Sequence, residues 1–272
     1  MMQLTLNISK ASIYKMADYK IDLIPILSDN YCFIIQDLVN NITICVDPGS
    51  SSEVIEFLEN NNLKLDYIFN THHHYDHISG NSELVKRYNC EIYAPKKDKH
   101  RIPNITHLLQ EHDVVNIGIF NFKILSTPGN TFNHISYHDQ EHKLLFCGDT
   151  IFSSGCARII EGTYEMLFDT INKLAALGED TWLYCAHEHT IKNIEFALKY
   201  EPSNQDLQAK LTLSKILQDL GKPTIPTTIA YELKTNPFLR LHKKEIRQNL
   251  GFNSDHLSFK VFKKMRLLKD GF

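Results

Sequence analysis

The sequence has no apolar leader, no hydrophobic run of membrane length, no paired-cysteine motif and no strong charge of either sign. Each absence removes a class of function. Polar residues interrupt every apolar run well short of the ~20 residues that a spanning helix needs, and the opening MMQLTLNISKASIYKMAD lacks the apolar core of a secretory leader. Cys32, Cys45, Cys90, Cys147, Cys156 and Cys185 are scattered, with no C-x-x-C pair. With no export signal they read as reduced thiols of a cytoplasmic protein, most of them small core residues. A net charge of −3 and a pI near 6.5 give no footprint for nucleic acid or an anionic membrane. Internal repeats and low-complexity tracts are missing too. What is present is 272 residues, 43% hydrophobic and 22% charged. That is the composition of a soluble globular chain, long enough for one large domain or a domain with an appendage.

Residues 71–77 read THHHYDH. A histidine-rich run is often a solvated loop, but the types and spacing here are more ordered than that. His72, His74, Asp76 and His77 are the nitrogen and oxygen ligands that suit a borderline divalent cation. In an extended segment, alternate residues project to one side, so His72 and His74 can grip one ion. Asp76 and His77, past a turn, can grip a second.

Along the first half, short runs rich in Ile, Val, Tyr and Phe read as strands: 19–27, 31–35, 42–47, 64–70, 90–94, 120–127, 134–138 and 143–149. Helical patterns fall between them. Residues 50–62 carry Ser at a cap position and Val54, Phe57 and Leu58 on one face. Residues 82–89 and 163–178 read alike, the last closing on Gly178 as a C-terminal cap. DTWLYCAH (180–187) returns to strand, and from about residue 190 helical periodicity takes over, broken by GKPTIPTT (221–228). The outline is a mixed α/β domain followed by a helical tail. THHHYDH follows one strand, Asp149 ends another and His187 ends a third. Alone, Asp149 is an ordinary turn residue and His187 an ordinary core histidine. Together with the cluster they place ligand groups at strand ends, where a rigid metal site is built. Gly148 before Asp149 suits a close backbone approach.

This arrangement resembles the metallo-β-lactamase superfamily. THHHYDHISGN (71–81), FCGDTIF (146–152), GCARIIEGT (155–163), CAHEHT (185–190), EPSN (201–204), NPFLR (236–240) and FKKMRLLKDGF (262–272) occur in the order seen in one of its families, glyoxalase II, the hydroxyacylglutathione hydrolases. The resemblance covers about residues 19–272 and implies an α/β fold, an αββα metallo-β-lactamase sandwich, over residues 19–190. A C-terminal helical, substrate-binding domain follows over 191–272, and residues 1–18 are an N-terminal extension without a counterpart. It implies metal ligation by His72 and His74 at one position, by Asp76, His77 and His187 at a second, and by Asp149 as a bridge. Asp76 and Asp149 are the implied catalytic carboxylates, and Arg158, Arg266 and Lys269 the glutathione-binding residues. Arg266 and Lys269, three apart on a helix, share a face, with Phe259, Phe262 and Leu268 as its buried stripe. The implied reaction is metal-dependent hydrolysis of S-D-lactoylglutathione to D-lactate and glutathione, a step of methylglyoxal detoxification. The cofactor is one or two divalent ions, zinc first, with iron or manganese as alternatives. The partner is a small glutathione thioester, with neither nucleic acid nor membrane, for a cytoplasmic monomer or weak oligomer. Another thioester or a lactone, or a non-catalytic descendant that binds glutathione conjugates, are the alternatives.

The chain departs from the family pattern in TPGNTFNHISY (127–137). Asn130 stands where the family has the third histidine of the first metal position, and an amide oxygen is a poorer zinc ligand than imidazole. His134 matches a family histidine that is not a ligand. Ile160 and His189 replace an aromatic and a tyrosine, and Ala157, Ala186 and Asn133 replace glycines. The second metal position keeps its complete set, so the expectation is one ion held tightly and one weakly. His73 matches no ligand position and is expected behind the ligands.

Overall fold

The computed structural model describes residues 3–5, 12–253 and 255–272, giving backbone alone for 3–5 and 12–15. Parts of the expected N-terminal extension, residues 1–2 and 6–11, lie outside the described residues. The chain divides into two compact units. One comprises Met1–Ser126, Asn133–Gly148 and Ala186–Glu188; the other comprises Thr127–Phe132, Asp149–Cys185 and His189–Phe272.

In the first unit, the strands are β1 (Gln3–Thr5), β2 (Ser12–Lys15), β3 (Tyr19–Ile26), β4 (Asn30–Asp37) and β5 (Ile42–Val46). Helix α1 (Ser51–Asn60), strand β6 (Tyr67–Phe69), helices α2 (Tyr75–Ile78) and α3 (Asn81–Tyr88), and strands β7 (Glu91–Pro95) and β8 (His107–Leu109) follow. Strands β9 (Val114–Ile117), β10 (Phe120–Ser126), β11 (Ile135–Asp139) and β12 (Leu144–Gly148) complete it. Strands β1 to β8 form one sheet in sequence order, antiparallel as far as β5 and parallel from β5 to β8. Strands β9 to β12 pair antiparallel in a second sheet. The two described pieces of residues 1–18 that form strands thus continue the edge of the first sheet.

Alternation across the strands sorts the core into two layers. Ile34, Cys45, Ile68 and Ile92 point to the outer face, where Val54 and Leu58 of α1 and Leu84 of α3 cover them. Their neighbours Phe33 and Phe69 point the other way. Phe33 meets Phe146 of β12 at 5.7 Å between ring centroids, and Phe69 stacks on Tyr137 of β11 at 4.5 Å and 12°. This is the helix-covered, face-to-face sheet pair expected of the sandwich. All six cysteines are free and buried, and Cys32, Cys45 and Cys90 fill the helix-facing layer, in line with their reading as small core residues.

The second unit holds β13 (Ile151–Phe152), β14 (Gly155–Cys156), α4 (Tyr164–Ala175), β15 (Trp182–Cys185), α5 (Thr190–Leu198) and α6 (Gln205–Asp219). Strand β16 (Thr227–Thr228) and helices α7 (Ile229–Thr235), α8 (Lys244–Asn249) and α9 (Ser258–Asp270) follow. Thr163, Asn204 and Thr228 cap α4, α6 and α7 by accepting the backbone N–H of Met166, Leu207 and Tyr231. Ser50, the expected cap of α1, instead turns its hydroxyl to the Glu53 carboxylate. Helix α4 ends at Ala175, with Ala176 rather than Gly178 as its C-terminal cap. In α9 the buried stripe is Val261, Phe262, Met265 and Arg266, while Leu268 is 40% exposed. Phe262 is buried as expected, packed against Phe168 of α4 and Phe238, and Phe259 is half-buried against the same Phe168; of the expected stripe Leu268 alone turns outward, and Met265 takes its place.

Candidate metal centre and active site

Strand β6 ends at Phe69, and the histidine-rich loop follows. Its path is fixed by Asp47, the residue after β5, whose backbone adopts a left-handed φ of 50°. Asp47 Oδ1 accepts the Thr71 backbone N–H at 2.8 Å, and Oδ2 accepts the Thr71 hydroxyl at 2.7 Å. The same Oδ2 faces His77 Nδ1 at 3.0 Å. Because the Thr71 hydroxyl proton goes to Asp47, Thr71 Oγ1 can only accept from His72 Nδ1, 3.0 Å away. One buried carboxylate therefore sets the Nδ1–H tautomer of two imidazoles and leaves their Nε2 lone pairs for other work. Gly49 belongs to this clamp: a Cβ there would collide with the backbone oxygen of Asp76.

His72 and His74 are adjacent as expected, with His72 Nε2 at 2.9 Å from His74 Nδ1. Asp76 and His77 lie on the short helix α2 rather than beyond a simple turn. The Asp76 Oδ2 atom is 3.5 Å from His77 Nε2 and 3.5 Å from His187 Nε2. One ligand atom from each of Asp76, His77 and His187 lies within 4.8 Å of the others. Two imidazole nitrogens and a carboxylate oxygen so converged form a donor set that suits a borderline divalent cation, and the residues present fit a metal ion. Asp47, His72 and His77 also cluster, but the oxygens of Asp47 are already taken by Thr71 and His77, so Asp47 supports ligands rather than serving as one.

His187 arrives from a distant stretch of the chain. It forms an isolated antiparallel bridge with Asn30, and the Ala186 N–H donates to Gly148 O at 3.3 Å. Gly148 has a φ of +45°, and a Cβ there would collide with Thr71 Oγ1 and crowd His134 Nε2. The close approach expected at this glycine is therefore real. Asp149 follows directly on it and is 8% exposed. His134 is fully buried and stacks on the His72 ring at 4.8 Å and 29°, but among the described residues it joins no ligand group. His73 turns to Asp98 Oδ2 at 3.3 Å, away from the ligand set.

In the second unit, Asn130 is 3% exposed. Its Nδ2 donates to the Arg158 carbonyl at 3.0 Å, while its Oδ1 is buried with no hydrogen-bond partner among the described residues. Arg158 has an exposed side chain, 3.9 Å from Asp270 Oδ1. Arg266 is buried and committed: Nη1 donates to the carbonyls of Cys156 (2.8 Å) and Ala157 (3.2 Å), and Nη2 to Asp270 Oδ1 (2.9 Å). Arg266 thus staples the 156–157 backbone. Lys269 is half-buried, its Nζ donating to Lys192 O at 3.2 Å above the rings of Phe196 and Phe272. Burial, and then the Arg266 charge, bring the Lys269 ammonium down to about 8. Burial pushes the Cys156 thiol up to about 11, which rules it out as a thiolate nucleophile near neutral pH. Ile160 is 59% exposed, and His189 precedes α5 with its ring 5.3 Å from Phe152.

Asp29, Asn30, Asp47 and Thr71 escaped the sequence reading. Asp47 carried a usable signal, since it follows a strand just as Asp149 does.

Comparison with known proteins agrees with the geometry. A family model of the metallo-β-lactamase superfamily matches residues 27–187, and a model of the hydroxyacylglutathione hydrolase C-terminus matches residues 188–272. A hydroxyacylglutathione hydrolase of Pelagibacter ubique is 39% identical over 93% of this chain and 100% of its own length. One from Legionella pneumophila is 40% identical over 92% of this chain and 99% of its own. Among solved structures, BLEG-1 B3 metallo-β-lactamase aligns with a TM-score of 0.63 at 23% identity, over 80% of this chain and 99% of that one. ETHE1 from Myxococcus xanthus aligns at 0.60 and 22% identity, over 87% and 91%. At these identities the structural matches speak for the fold alone.

Proposed function

The chain belongs to the hydroxyacylglutathione hydrolases of the metallo-β-lactamase superfamily, and we propose on that premise that it hydrolyses S-D-lactoylglutathione to D-lactate and glutathione. It is a hydrolase of glutathione thioesters that uses a divalent metal. The observation that carries the reading is the convergence of Asp76 Oδ2, His77 Nε2 and His187 Nε2. We assign metal binding to His72, His74, Asp76, His77, Asp149 and His187. When bound, a divalent cation supplies Lewis acidity for the thioester carbonyl and lowers the pKa of water toward ~7. Asp76 and Asp149 are the carboxylates assigned to orient the attacking water and take its proton. Hydrolysis adds water across the acyl–sulfur bond, and the departing thiolate, with a solution pKa of roughly 8.5, needs no strong general acid. Residues 19–190 are assigned to the chemistry and residues 191–272 to glutathione. Lys269 of that segment, together with Arg158 from the preceding one, offers charge to a carboxylate, while Arg266 holds the backbone leading into Arg158. Zinc is the metal we assign, with the cytoplasm as the place of action. Among the described residues no helix is long and apolar enough to cross a membrane. The test is hydrolysis of S-D-lactoylglutathione with zinc, manganese and iron added separately. Turnover with at least one is expected, and binding without turnover with all three would leave only a non-catalytic descendant.

Asn130 gives the two metal positions unequal strength. Its amide nitrogen already donates to the Arg158 carbonyl, and its neutral oxygen is a weak donor to zinc. About one equivalent of metal is expected to remain after exhaustive dialysis; two equivalents by elemental analysis would refute this. Asn130→His is expected to raise retention toward two and kcat/KM by about tenfold, roughly 1.4 kcal/mol of barrier. An unchanged rate with two ions bound would show that Asn130 does not limit catalysis.

Lys269 supplies a pH signature. A lysine brought down to about 8 loses its charge as pH rises through that value. KM for an anionic glutathione thioester is therefore expected to climb above pH ~8 with kcat changed little, well before an ordinary lysine at ~10.4 would titrate. Lys269→Met is expected to start from the higher KM and show no further rise through that range. A wild-type KM that stays flat to pH ~9.5 would remove Lys269 from substrate binding.

A further inference from the structure

The geometry points to Asp29 as a positioning residue: with Asn30 and Tyr31 it aims the imidazole of His187 at the metal. The inference rests on the reading that Asp76, His77 and His187 hold a metal ion, and it adds a residue outside that ligand set.

Asp29 and the first two residues of β4 grip three consecutive residues around His187. The Tyr31 N–H donates to Ala186 O at 2.7 Å, and the Glu188 N–H donates to Asp29 O at 2.9 Å. Tyr31 Oη donates to Glu188 Oε2 at 2.9 Å, and Asn30 pairs with His187 itself. The backbone is thereby pinned on both sides of the imidazole. The ring is then set by its own two nitrogens. His187 Nδ1 lies 3.1 Å from Asp29 Oδ1. A carboxylate can only accept, so the proton belongs on Nδ1 and the lone pair on Nε2.

That lone pair faces inward. Nε2 is 3.4 Å from Asn30 Nδ2, which also donates to Asp76 Oδ2 at 2.8 Å. One amide nitrogen, with its partial positive charge, thus lies within reach of both the ring lone pair and the carboxylate oxygen and holds the two ligand atoms side by side. His77 repeats the pattern, with Nδ1 at 3.0 Å from Asp47 Oδ2 and Nε2 at 3.5 Å from Asp76 Oδ2. Two imidazoles, each backed by a carboxylate, present Nε2 to the same oxygen at the same distance. The two carboxylates differ in one respect. Asp47 is buried in the fold, whereas the Asp29 side chain is 44% exposed, so Asp29 can be changed without opening a core cavity. A merely structural Asp29 would stabilise the loop and leave metal affinity alone; a positioning Asp29 sets the basicity and direction of a ligand.

The test compares full-length wild type, Asp29→Ala and Asp29→Asn. Zinc affinity is read by competition with a chromophoric chelator, and thermal unfolding is followed on the metal-free proteins. Asp29→Ala is expected to weaken the tightest zinc by about 10- to 100-fold. Asp29→Asn is expected to fall between, because its amide oxygen still accepts from Nδ1–H without the charge. Metal-free melting temperatures should match. Wild-type affinity in both variants overturns the inference, whether or not their melting temperatures fall. Should the alanine variant fail to fold, the asparagine variant decides by the same measure. A wild type that retains no zinc would instead remove the metal reading itself, a result separate from tight wild-type binding with unaffected variants.

Discussion

Replacing His187 with alanine is expected to lower kcat/KM by roughly 10^3-fold or more, because without a competent cation the pKa of water returns from ~7 toward 15.7. The structure makes this loss specific. His187 provides one of the three converging donor atoms, and Asp76 Oδ2 lies 3.5 Å from its Nε2. Alanine leaves Asp76 and His77 with two donors and leaves Asn30 without its imidazole partner. Elemental analysis of the purified variant should show the loss of the retained ion, and S-D-lactoylglutathione turnover should fall with it. His187→Ala with undiminished metal and activity would mean that the catalytic centre lies elsewhere. A parallel measurement on His73→Ala, whose ring turns to Asp98, should show metal content close to wild type.

Phe69→Ala is expected to cost about 3–5 kcal/mol of unfolding free energy, the range for a buried phenylalanine reduced to alanine. Phe69 is fully buried where the two sheets of the first unit face each other. Its ring stacks on Tyr137 and meets Phe122 and Tyr93 edge-on at 5.3 and 5.5 Å. Few core changes should matter more, because Phe69 is also the last residue of β6 and the histidine-rich loop starts from its end. Chemical denaturation of the metal-free protein measures the loss, and Phe69→Leu should recover part of it. A change below about 1 kcal/mol would show that the sheets close around the cavity and that the stack is not a main support. Tyr137 adds a polar link at the same spot, its single hydroxyl proton shared between Asn70 O at 2.9 Å and Tyr93 O at 3.0 Å.

Much of this was legible along the chain. The runs at 19–27, 31–35, 42–47 and 143–149 became β3, β4, β5 and β12 within a residue or two, because buried strands are continuous apolar runs whatever packs on them. The short elements escaped. Strands β8, β13, β14 and β16 have three residues or fewer, too few for any period to show. On α9 the stripe is legible in part: Phe259 and Phe262 both pack on Phe168, but Met265 and not Leu268 continues the buried face, because leucine and methionine are both apolar and only the packing partners choose between them. The sequence offers Arg266 to glutathione because it shows charge but not partners; in the structure its partners are the backbone carbonyls of Cys156 and Ala157.

By itself the sequence determined the chemistry on offer: imidazoles and carboxylates after strand ends, reduced cysteines for the core, a helical tail carrying basic residues, and the anomaly at Asn130. Those are properties of residue type and spacing, which the chain carries before it folds. Only the tertiary structure decided which nitrogen of His77 and of His187 faces inward. That depends on Asp29 and Asp47, 158 and 30 residues from the histidines they orient, and a hydrogen bond between such distant positions exists only once the strands that carry them have paired.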